Sequence, residues 1–246
     1  MLKQELASGV IQYIFPKSGE KYNFGNTIIA VVHENKAILI DSAYKDEAPQ
    51  VFEDLVANGI AVDSIILSHS HNDHTDGFNV LPEVPWYGSS FFNLEEYDEN
   101  QVKRYIPIEN PTIIEFGKHT LEIIPSPGHS ECTVLVKING QFIHVADEIM
   151  YSHDGQPLLP WIDSRDDIKR QLESWNKIKD YHKLTIIPAH GPILDGNKLH
   201  KDIQNRAAYA EAILMADGKP ITYEEATKNC DCTFLSSHWF KHLAEK

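Results

Sequence analysis

The spacing of apolar and polar residues along the chain predicts two similar successions of β-strands, each followed by helix. Apolar runs rich in β-branched residues predict strands at 26–32, 37–40, 64–68, 85–87, 112–116, 119–124, 132–138, 141–146 and 184–187. Apolar stripes with helical spacing predict helices at 46–58, 166–181 and 197–216, with short ones near 76–80 and Trp239. The rest of segment 82–112 has little periodicity and is predicted to be mostly loop.

Capping and turn residues mark where several of these elements begin and end. Pro49 suits the first turn of the helix over 46–58, and Gly59 suits its C-terminal cap. Asn139-Gly140 predicts a tight hairpin turn between two strands. The first long helix is expected to place on one stripe the residues Val51, Phe52, Leu55 and Val56.

Strands followed by helix, twice over, favour two packed β-sheets with helices on the outside, in the α/β (α+β) class. The chain has 246 residues, of which 42% are hydrophobic, and this is enough for a substantial core. We expect one domain over 1–246, with a C-terminal helical extension from about 197.

Composition and charge narrow the classes of function. The formal net charge of −14 repels phosphate backbones, and the basic residues are dispersed, so nucleic-acid partners are disfavoured. No apolar run approaches the roughly 18 residues that a membrane span needs, and no leader pattern begins the chain, so we expect no membrane association. The three cysteines are too few for a disulfide framework, which favours a cytoplasmic location.

The strongest chemical signal is the run His69-Ser70-His71-Asn72-Asp73-His74, directly after a hydrophobic strand. Imidazole and carboxylate are the ligands expected for zinc and similar ions, and four of them in six residues are hard to explain by core packing. Because side chains two apart in an extended segment point the same way, His69 and His71 can share one ion. Asp73 and His74 can then reach a second.

Three further strand ends carry the same kind of ligand. His129 lies in Pro127-Gly128-His129-Ser130, Asp147 follows the run 143–146, and His190 precedes Gly191. Each follows an apolar run, so each is expected at the edge of a sheet. Their convergence predicts one metal site.

The order of these motifs resembles the metallo-β-lactamase superfamily, over about 26–191: H-x-H-x-D-H, Pro-Gly-His, an Asp after a strand and a His-Gly. The resemblance implies a four-layer αββα sandwich of two mixed β-sheets, with the metals at one edge. The first ion is then held by His69, His71 and His129, the second by Asp73, His74 and His190, and Asp147 bridges them.

Details of the motifs resemble particular branches of that superfamily. Asp147 stands where common class B lactamases have a Cys, and His74 is an additional ligand, which resembles the glyoxalase II, lactonase and ribonuclease Z branches. His71 stands where flavodiiron oxidoreductases have Glu, and the chain has no room for the long insert of the β-CASP nucleases. The glyoxalase II/lactonase-like branch is therefore favoured, although no basic cluster for a glutathione tail is evident.

Other residues near these motifs have candidate roles. Asp41 either orients the metal-binding loop or caps a turn. Asp73 is a candidate for relaying a proton to the leaving group. Tyr151, with His153 and Trp161, follows Asp147 on a loop, and Tyr151 is the better candidate for polarising a substrate oxygen.

The expected function is metal-dependent hydrolysis of a small ester, thioester, lactone or amide. Two divalent ions roughly 3.5–4 Å apart can hold a bridging hydroxide as the nucleophile. Zinc is the expected metal, with iron or manganese as alternatives, and a small molecule is the expected partner. The alternatives are a phosphodiesterase acting on a small phosphodiester, an iron-dependent oxidoreductase resembling persulfide dioxygenase, and a non-catalytic binding module.

Overall fold

The β-strands form two mixed sheets in the computed structural model, which describes residues 1–16, 25–162 and 164–240. The strands of the first sheet neighbour one another in chain order: β1 (Leu2–Ala7), β2 (Val10–Phe15), β3 (Asn26–His33), β4 (Lys36–Ile40), β5 (Ala61–Ile66), β6 (Trp86–Ser89) and β7 (Tyr105–Ile108). Strands β1 to β4 are antiparallel, and β4 to β7 are parallel. The sheet thus changes from hairpins to parallel strands at β4, immediately before Asp41.

The second sheet has the order β12-β11-β10-β9-β8 over the described residues. Its strands are β8 (Thr112–Phe116), β9 (His119–Pro125), β10 (Val134–Ile138), β11 (Phe142–His144) and β12 (Thr185–Ile187). They pair antiparallel except for β11 and β12, which are parallel. Asn139 and Gly140, both with positive φ, form the predicted turn between β10 and β11.

The α-helices are α1 (Ala48–Ala57), α2 (Asn72–Thr75), α3 (Glu99–Lys103), α4 (Arg165–Ile178), α5 (Gly196–Met215) and α6 (Tyr223–Ala226). Short 3₁₀ turns follow at Asp76–Val80, Lys179–Tyr181 and Ser237–Phe240. Helix α5 begins one residue before the predicted start of the C-terminal helical extension. No helix in the described part of the chain is long and apolar enough to cross a membrane. The assignment of all 246 residues to one domain stays a prediction.

Alternating side chains of the first sheet build two separate cores. Along β3, Ile28 and Ala30 pack in one apolar cluster with Leu55 of α1, whereas Ile29 and Val31 belong to another cluster. The period of two in a strand explains this division, because successive side chains point to opposite faces. The first sheet is therefore covered by α1 on one face and by the second sheet on the other.

The second sheet is divided in the same way. Val134 and Val136 of β10 join the cluster between the sheets, whereas Leu135 joins the cluster that contains Trp175 of α4 and Ile203 of α5. Three apolar cores thus separate four layers, helix, sheet, sheet and helix. The predicted αββα sandwich is confirmed.

Several local predictions differ from the structure. Val56 is 53% exposed, although Val51 and Leu55 beside it are buried, so the buried stripe of α1 is narrower than predicted. Segment 82–112 contains α3 and β7, two short elements that were not predicted, besides the predicted strand β6, although most of its remaining residues are loop. Asp98 and Gln101 begin α3 with a reciprocal capping box, a short-range signal that apolar periodicity does not report. Strands β1 and β2 precede every predicted element.

Candidate metal centre

The candidate ligands lie just past the ends of strands, where the two sheets meet. His69, Asp147 and His190 each lie three residues after the last residue of β5, β11 and β12 respectively. His129 lies in the loop between β9 and β10, and His71 is the N-cap residue of α2. The architecture therefore brings chain segments from both sheets to one place.

Four ligand atoms form what we call the first donor set. His71 Nδ1 lies 3.0 Å from His69 Nε2 and 3.1 Å from His129 Nε2. The fourth atom, Asp147 Oδ2, lies 3.7 Å from both His69 Nε2 and His129 Nε2. Three nitrogens and one oxygen thus surround a common point, as a tetrahedral zinc-type site requires.

A second donor set shares Asp147 with the first. Asp147 Oδ1 lies 3.4 Å from His74 Nε2 and 3.3 Å from His190 Nε2. Asp73 completes the set, with Oδ2 3.3 Å from His190 Nε2 and Oδ1 3.7 Å from His74 Nε2. The structure therefore brings together all seven predicted ligands, and the two oxygens of Asp147 face different sets.

The residues present fit a pair of cations. His74 Nε2 and Asp147 Oδ1 are buried and have no hydrogen-bond partner. Buried polar atoms without a partner are costly unless something else satisfies them. The ligand atoms of each set lie within 4.8 Å of one another, and nitrogen with carboxylate oxygen is the donor chemistry of zinc and related ions. The sets can hold one ion each.

Hydrogen bonds outside the two sets fix the orientation of the imidazole rings. Buried Asp41 accepts hydrogen bonds from Ser68 N at 2.7 Å, from Ser68 Oγ at 2.8 Å and from His74 Nδ1 at 2.9 Å. Asp41 has a positive φ of 63°, a conformation that non-glycine residues rarely adopt. His190 Nδ1 donates to the carbonyl oxygen of Gly25 at 2.6 Å. Both rings therefore present Nε2 to the second donor set.

Helix α4 supports the loop that carries His129. Buried Glu148 accepts a hydrogen bond from His129 N at 2.8 Å and another from Gln171 Nε2 at 3.2 Å. Trp175 Nε1 donates to the Glu148 carbonyl oxygen at 2.7 Å. Burial raises the pKa of the Glu148 carboxyl to about 7, although the hydrogen bonds to that carboxyl from His129 N, Ser174 and Gln171 act to lower it. The sequence did not indicate a role for Glu148, because its position in the pattern does not distinguish it from an exposed glutamate.

Burial and charge act differently on the two donor sets. In the first set, burial lowers the pKa of His69, His71 and His129, the last to about 4. In the second set, burial also disfavours the charged imidazole, but the carboxylates of Asp147 and Asp73 together outweigh it and raise the pKa of His190 to about 10. Metals bind neutral imidazole. Metal binding at the second set therefore releases the protons that the neighbouring carboxylates otherwise hold on His74 and His190.

A cleft of about 440 Å³ opens onto the donor sets. Five of the predicted ligands line it, and its other lining residues are Met150, Trp161, Asp167, Arg170 and Trp239. This volume lies within the range of small-molecule sites, roughly 300–1,000 Å³. Trp161 was among the loop residues considered from the sequence, but Met150, Arg170 and Trp239 were not.

The structure places the side chain of Tyr151 away from the cleft, which does not favour the predicted contact with a substrate oxygen. Its ring packs in the core between the second sheet and the C-terminal helices, and its hydroxyl interacts with Asp202. Burial and the Asp202 carboxylate both raise the pKa of this hydroxyl. Tyr151 lies only four residues after Asp147, but its side chain does not line the cleft. His153 lies outside the cleft as well, whereas Asp73 lines it.

Comparison with known proteins identifies relatives of most of the chain. The sequence profile described as "Metallo-beta-lactamase superfamily" matches residues 22–190, well over half of the chain. The structure is similar to a metallo-β-lactamase from Pontibacter korlensis, with a TM-score of 0.68 and 18% identity, over 83% of this chain and 99% of that one. At this identity the likeness concerns the fold.

Curated relatives are distant. The chain is 21% identical to the Beta-lactamase-like protein 2 homolog of Caenorhabditis elegans, over 77% of this chain and 63% of that protein. It is 24% identical to a hydroxyacylglutathione hydrolase of Glaesserella parasuis, over 81% of this chain and 76% of that protein. The chain spans between 46% and 63% of the length of the first three relatives.

Proposed function

Because the chain belongs to the metallo-β-lactamase superfamily, we propose that it is a hydrolase that depends on two divalent metal ions. We further propose that His69, His71 and His129 hold one ion, that Asp73, His74 and His190 hold the other, and that Asp147 bridges them. Zinc is the metal proposed for both sets. The proposed substrate is a small ester, thioester, lactone or amide.

The position of Asp147 is the observation that carries this proposal. Its two oxygens lie 3.3–3.7 Å from ligand nitrogens of different donor sets. An acidic side chain that is 5% exposed among four histidines has no simple structural role. A bridging carboxylate, by contrast, needs this placement, because it must present one oxygen to each of two ions.

When bound, the ions supply two things: they lower the pKa of water to about 7 and they polarise the oxygen of a scissile carbonyl. The protein's own groups position that chemistry. Asp41 and Gly25 hold the tautomers of His74 and His190. Asp73, whose side chain is 25% exposed and lines the cleft, is placed to pass a proton to the departing group. No serine or cysteine nucleophile is required.

A panel of small substrates tests the proposed function. Purified protein loaded with zinc is compared on p-nitrophenyl acetate, a lactone, S-lactoylglutathione and bis-p-nitrophenyl phosphate. We expect turnover of the carboxylic substrates that a chelator abolishes and added zinc restores. In Asp147→Asn, one bridging oxygen becomes an amide nitrogen, so kcat falls by about two orders of magnitude or more. Asp63→Asn, which removes an ion pair with Lys36 at the surface, is the matched control.

Other outcomes of this panel separate the alternatives. Faster turnover of the phosphodiester than of any carboxylic substrate would replace the proposal by a phosphodiesterase. Oxygen uptake by iron-loaded protein with a persulfide substrate would replace it by an oxidoreductase. Equal activity of Asp147→Asn and Asp63→Asn would remove the basis for the two-metal site altogether.

A further inference from the structure

Part of the wall of the cleft is aromatic. Trp161 and Trp239 meet edge to face, with ring centroids 5.6 Å apart and planes inclined by 72°. Trp161 is 40% exposed, and Met150, which is 5% exposed, lines the same cleft. An apolar ligand that covers this exposed indole lowers the free energy, because it removes apolar surface from water.

Two segments that are distant in sequence are tied together to form this wall. Leu159 N donates to the carbonyl oxygen of Leu235 at 3.1 Å, and Leu235 N donates to that of Pro157 at 2.9 Å. Phe240, 4% exposed, anchors the end of the C-terminal segment in the core. Strand-like pairing on one side of the wall and an apolar anchor on the other therefore hold Trp239 against Trp161.

Buried Arg206 of α5 links the two backbone segments that carry Met150 and lead to Trp161. Its guanidinium nitrogens Nη1 and Nη2 each donate at 3.0 Å, to the carbonyl oxygens of Leu158 and Met150 respectively. Nε is paired with Asp202. Because one rigid cation holds both carbonyls, Met150 is fixed relative to the segment that leads to Trp161.

The cleft offers little to bind an anionic group away from the metals. Arg170 is the only lysine or arginine among the described side chains that line it. Its Nη2 lies 2.8 Å from Asp167 Oδ1, its Nη1 lies 3.7 Å from Glu131 Oε1, and its Nε donates to the Gly128 carbonyl oxygen at 3.2 Å. These acidic partners offset its charge, so a charged tail such as that of glutathione finds no free cation among the described side chains of the cleft.

We propose that Trp161, Trp239 and Met150 form a subsite that selects substrates with an uncharged apolar group next to the scissile bond. The inference rests on the proposed hydrolase function, which it makes more specific. Of the carboxylic substrates, alkyl or aryl esters and lactones with an apolar chain fit this wall, and glutathione thioesters do not.

A binding experiment tests the subsite by a readout other than turnover. The chain has four tryptophans, and Trp86 and Trp175 are fully buried, so acrylamide quenches mainly the fluorescence of Trp161 and Trp239. Hexanamide is the uncharged probe, and acetamide and glutathione are the comparisons. We expect hexanamide to protect the two indoles from acrylamide and the comparisons to give no protection. Protection by glutathione and none by hexanamide would overturn the proposal.

Kinetics on a homologous series give the second test. From p-nitrophenyl acetate to the butyrate and hexanoate, kcat/KM is expected to rise about three- to fourfold for each methylene that the wall buries. Trp161→Ala and Trp239→Ala should flatten this rise, and Trp161→Phe and Trp239→Phe should keep part of it. Phe91→Ala, which removes a 72% exposed ring away from the cleft, is the control and should leave the rise unchanged. A second series, alkyl acetates with the same chain lengths in the alcohol, shows whether the wall binds the acyl side or the alcohol side of the scissile bond.

The results distinguish failure of the subsite from failure of the hydrolase proposal. Ester turnover that does not depend on chain length in either series would overturn the subsite alone. Faster turnover of S-lactoylglutathione than of the best ester would do the same. Protection by hexanamide in a protein that hydrolyses none of the substrates would support the subsite and overturn the hydrolase proposal. Circular dichroism of each Trp→Ala variant confirms that a lost rise does not reflect misfolding.

Discussion

A single buried carboxylate, Asp41, controls how His74 faces the donor sets. It accepts hydrogen bonds from the Ser68 backbone and hydroxyl as well as from His74 Nδ1. Such outer partners of a ligand fix its tautomer and its direction. The sequence left open whether Asp41 orients the metal-binding loop or caps a turn, and the contacts favour the first role.

The substitution Asp41→Asn tests that role. An amide leaves one acceptor oxygen for three donors, so His74 loses its fixed orientation and the second donor set weakens. We expect zinc affinity at one of two sites to fall about 10- to 100-fold, measured by competition with a chelating indicator. Asp63→Asn is the control. Unchanged affinity at both sites would assign Asp41 to the turn alone.

The substitution Tyr151→Phe is expected to change stability but not catalysis. The lost hydroxyl faces Asp202 rather than the cleft, so kcat and KM should stay within about twofold of the wild-type values. The free energy of unfolding should fall by about 1 kcal/mol, because one buried polar interaction is lost. Steady-state kinetics and urea unfolding measure the two effects. A tenfold loss of kcat at unchanged stability would restore the catalytic role first predicted for this tyrosine.

Single residues differ in how far the sequence predicts them. The seven ligand candidates follow strand ends, and strand ends of packed sheets meet, so spacing alone brought them to one site. Tyr151 also follows Asp147 closely, but its direction depends on the path of the loop and on Asp202, about fifty residues later. Glu148 could not be recognised because its partners on α4 are known only once the helix is docked.

At the scale of elements, α4 and the loop before β10 act as one support for His129. Gly128 lies between them, and a Cβ there would come within 2.5 Å of Glu148 Oε1 and of Ser174 Cβ. Real Cβ atoms do not approach other atoms so closely. Only glycine lets α4 pack this near the loop.

Gly128→Ala should therefore displace His129 from the first donor set. We expect zinc affinity at one site to fall about tenfold or more, in addition to a loss of stability. Gly59→Ala is a matched control, because its Cβ meets nothing within 4 Å while its φ of +72° still strains the alanine. The control should lose about 1 kcal/mol of stability and no metal affinity. Equal metal affinity in both variants would argue against the α4 support.

Long periodic elements were predicted well, and short irregular ones were not. The hairpin of β3 and β4, helices α1, α4 and α5, and the β10–β11 turn follow from apolar spacing, caps and turn residues. Helix α3 has five residues and strand β7 has four, too few to show a period. Strand β7 forms because the parallel half of the first sheet continues past β6, a tertiary effect that no local pattern contains, whereas the local signal for α3 is its capping box.

At the scale of the whole molecule, the metals would join the two sheets. The first donor set takes ligands from the loop after β5 in one sheet and from the β9–β10 loop in the other. The aromatic wall likewise joins the loop after Asp147 to the C-terminal segment. The sequence predicted the ligands because they follow strand ends. It did not predict the place of Trp239, which depends on the pairing of two segments that are distant in sequence.

Removal of metal should therefore destabilise the whole sandwich. A ligand at about 100 times its Kd stabilises the folded state by about 2.7 kcal/mol, which for a chain of this size raises Tm by about 5–10 °C for each ion. We expect a chelator to lower Tm by at least this amount and zinc to restore it, as followed by differential scanning calorimetry. In Asp147→Asn the shift should be much smaller. A Tm that does not respond to chelator would contradict metal binding between the sheets.

The metal content of the purified chain tests the central claim most directly. After equilibrium with excess zinc and removal of free metal, elemental analysis should give two ions per chain. His129→Ala and His190→Ala, each lacking a ligand of one donor set, should retain one. Wild-type protein that holds one ion or none under these conditions would contradict the assignment of two donor sets bridged by Asp147.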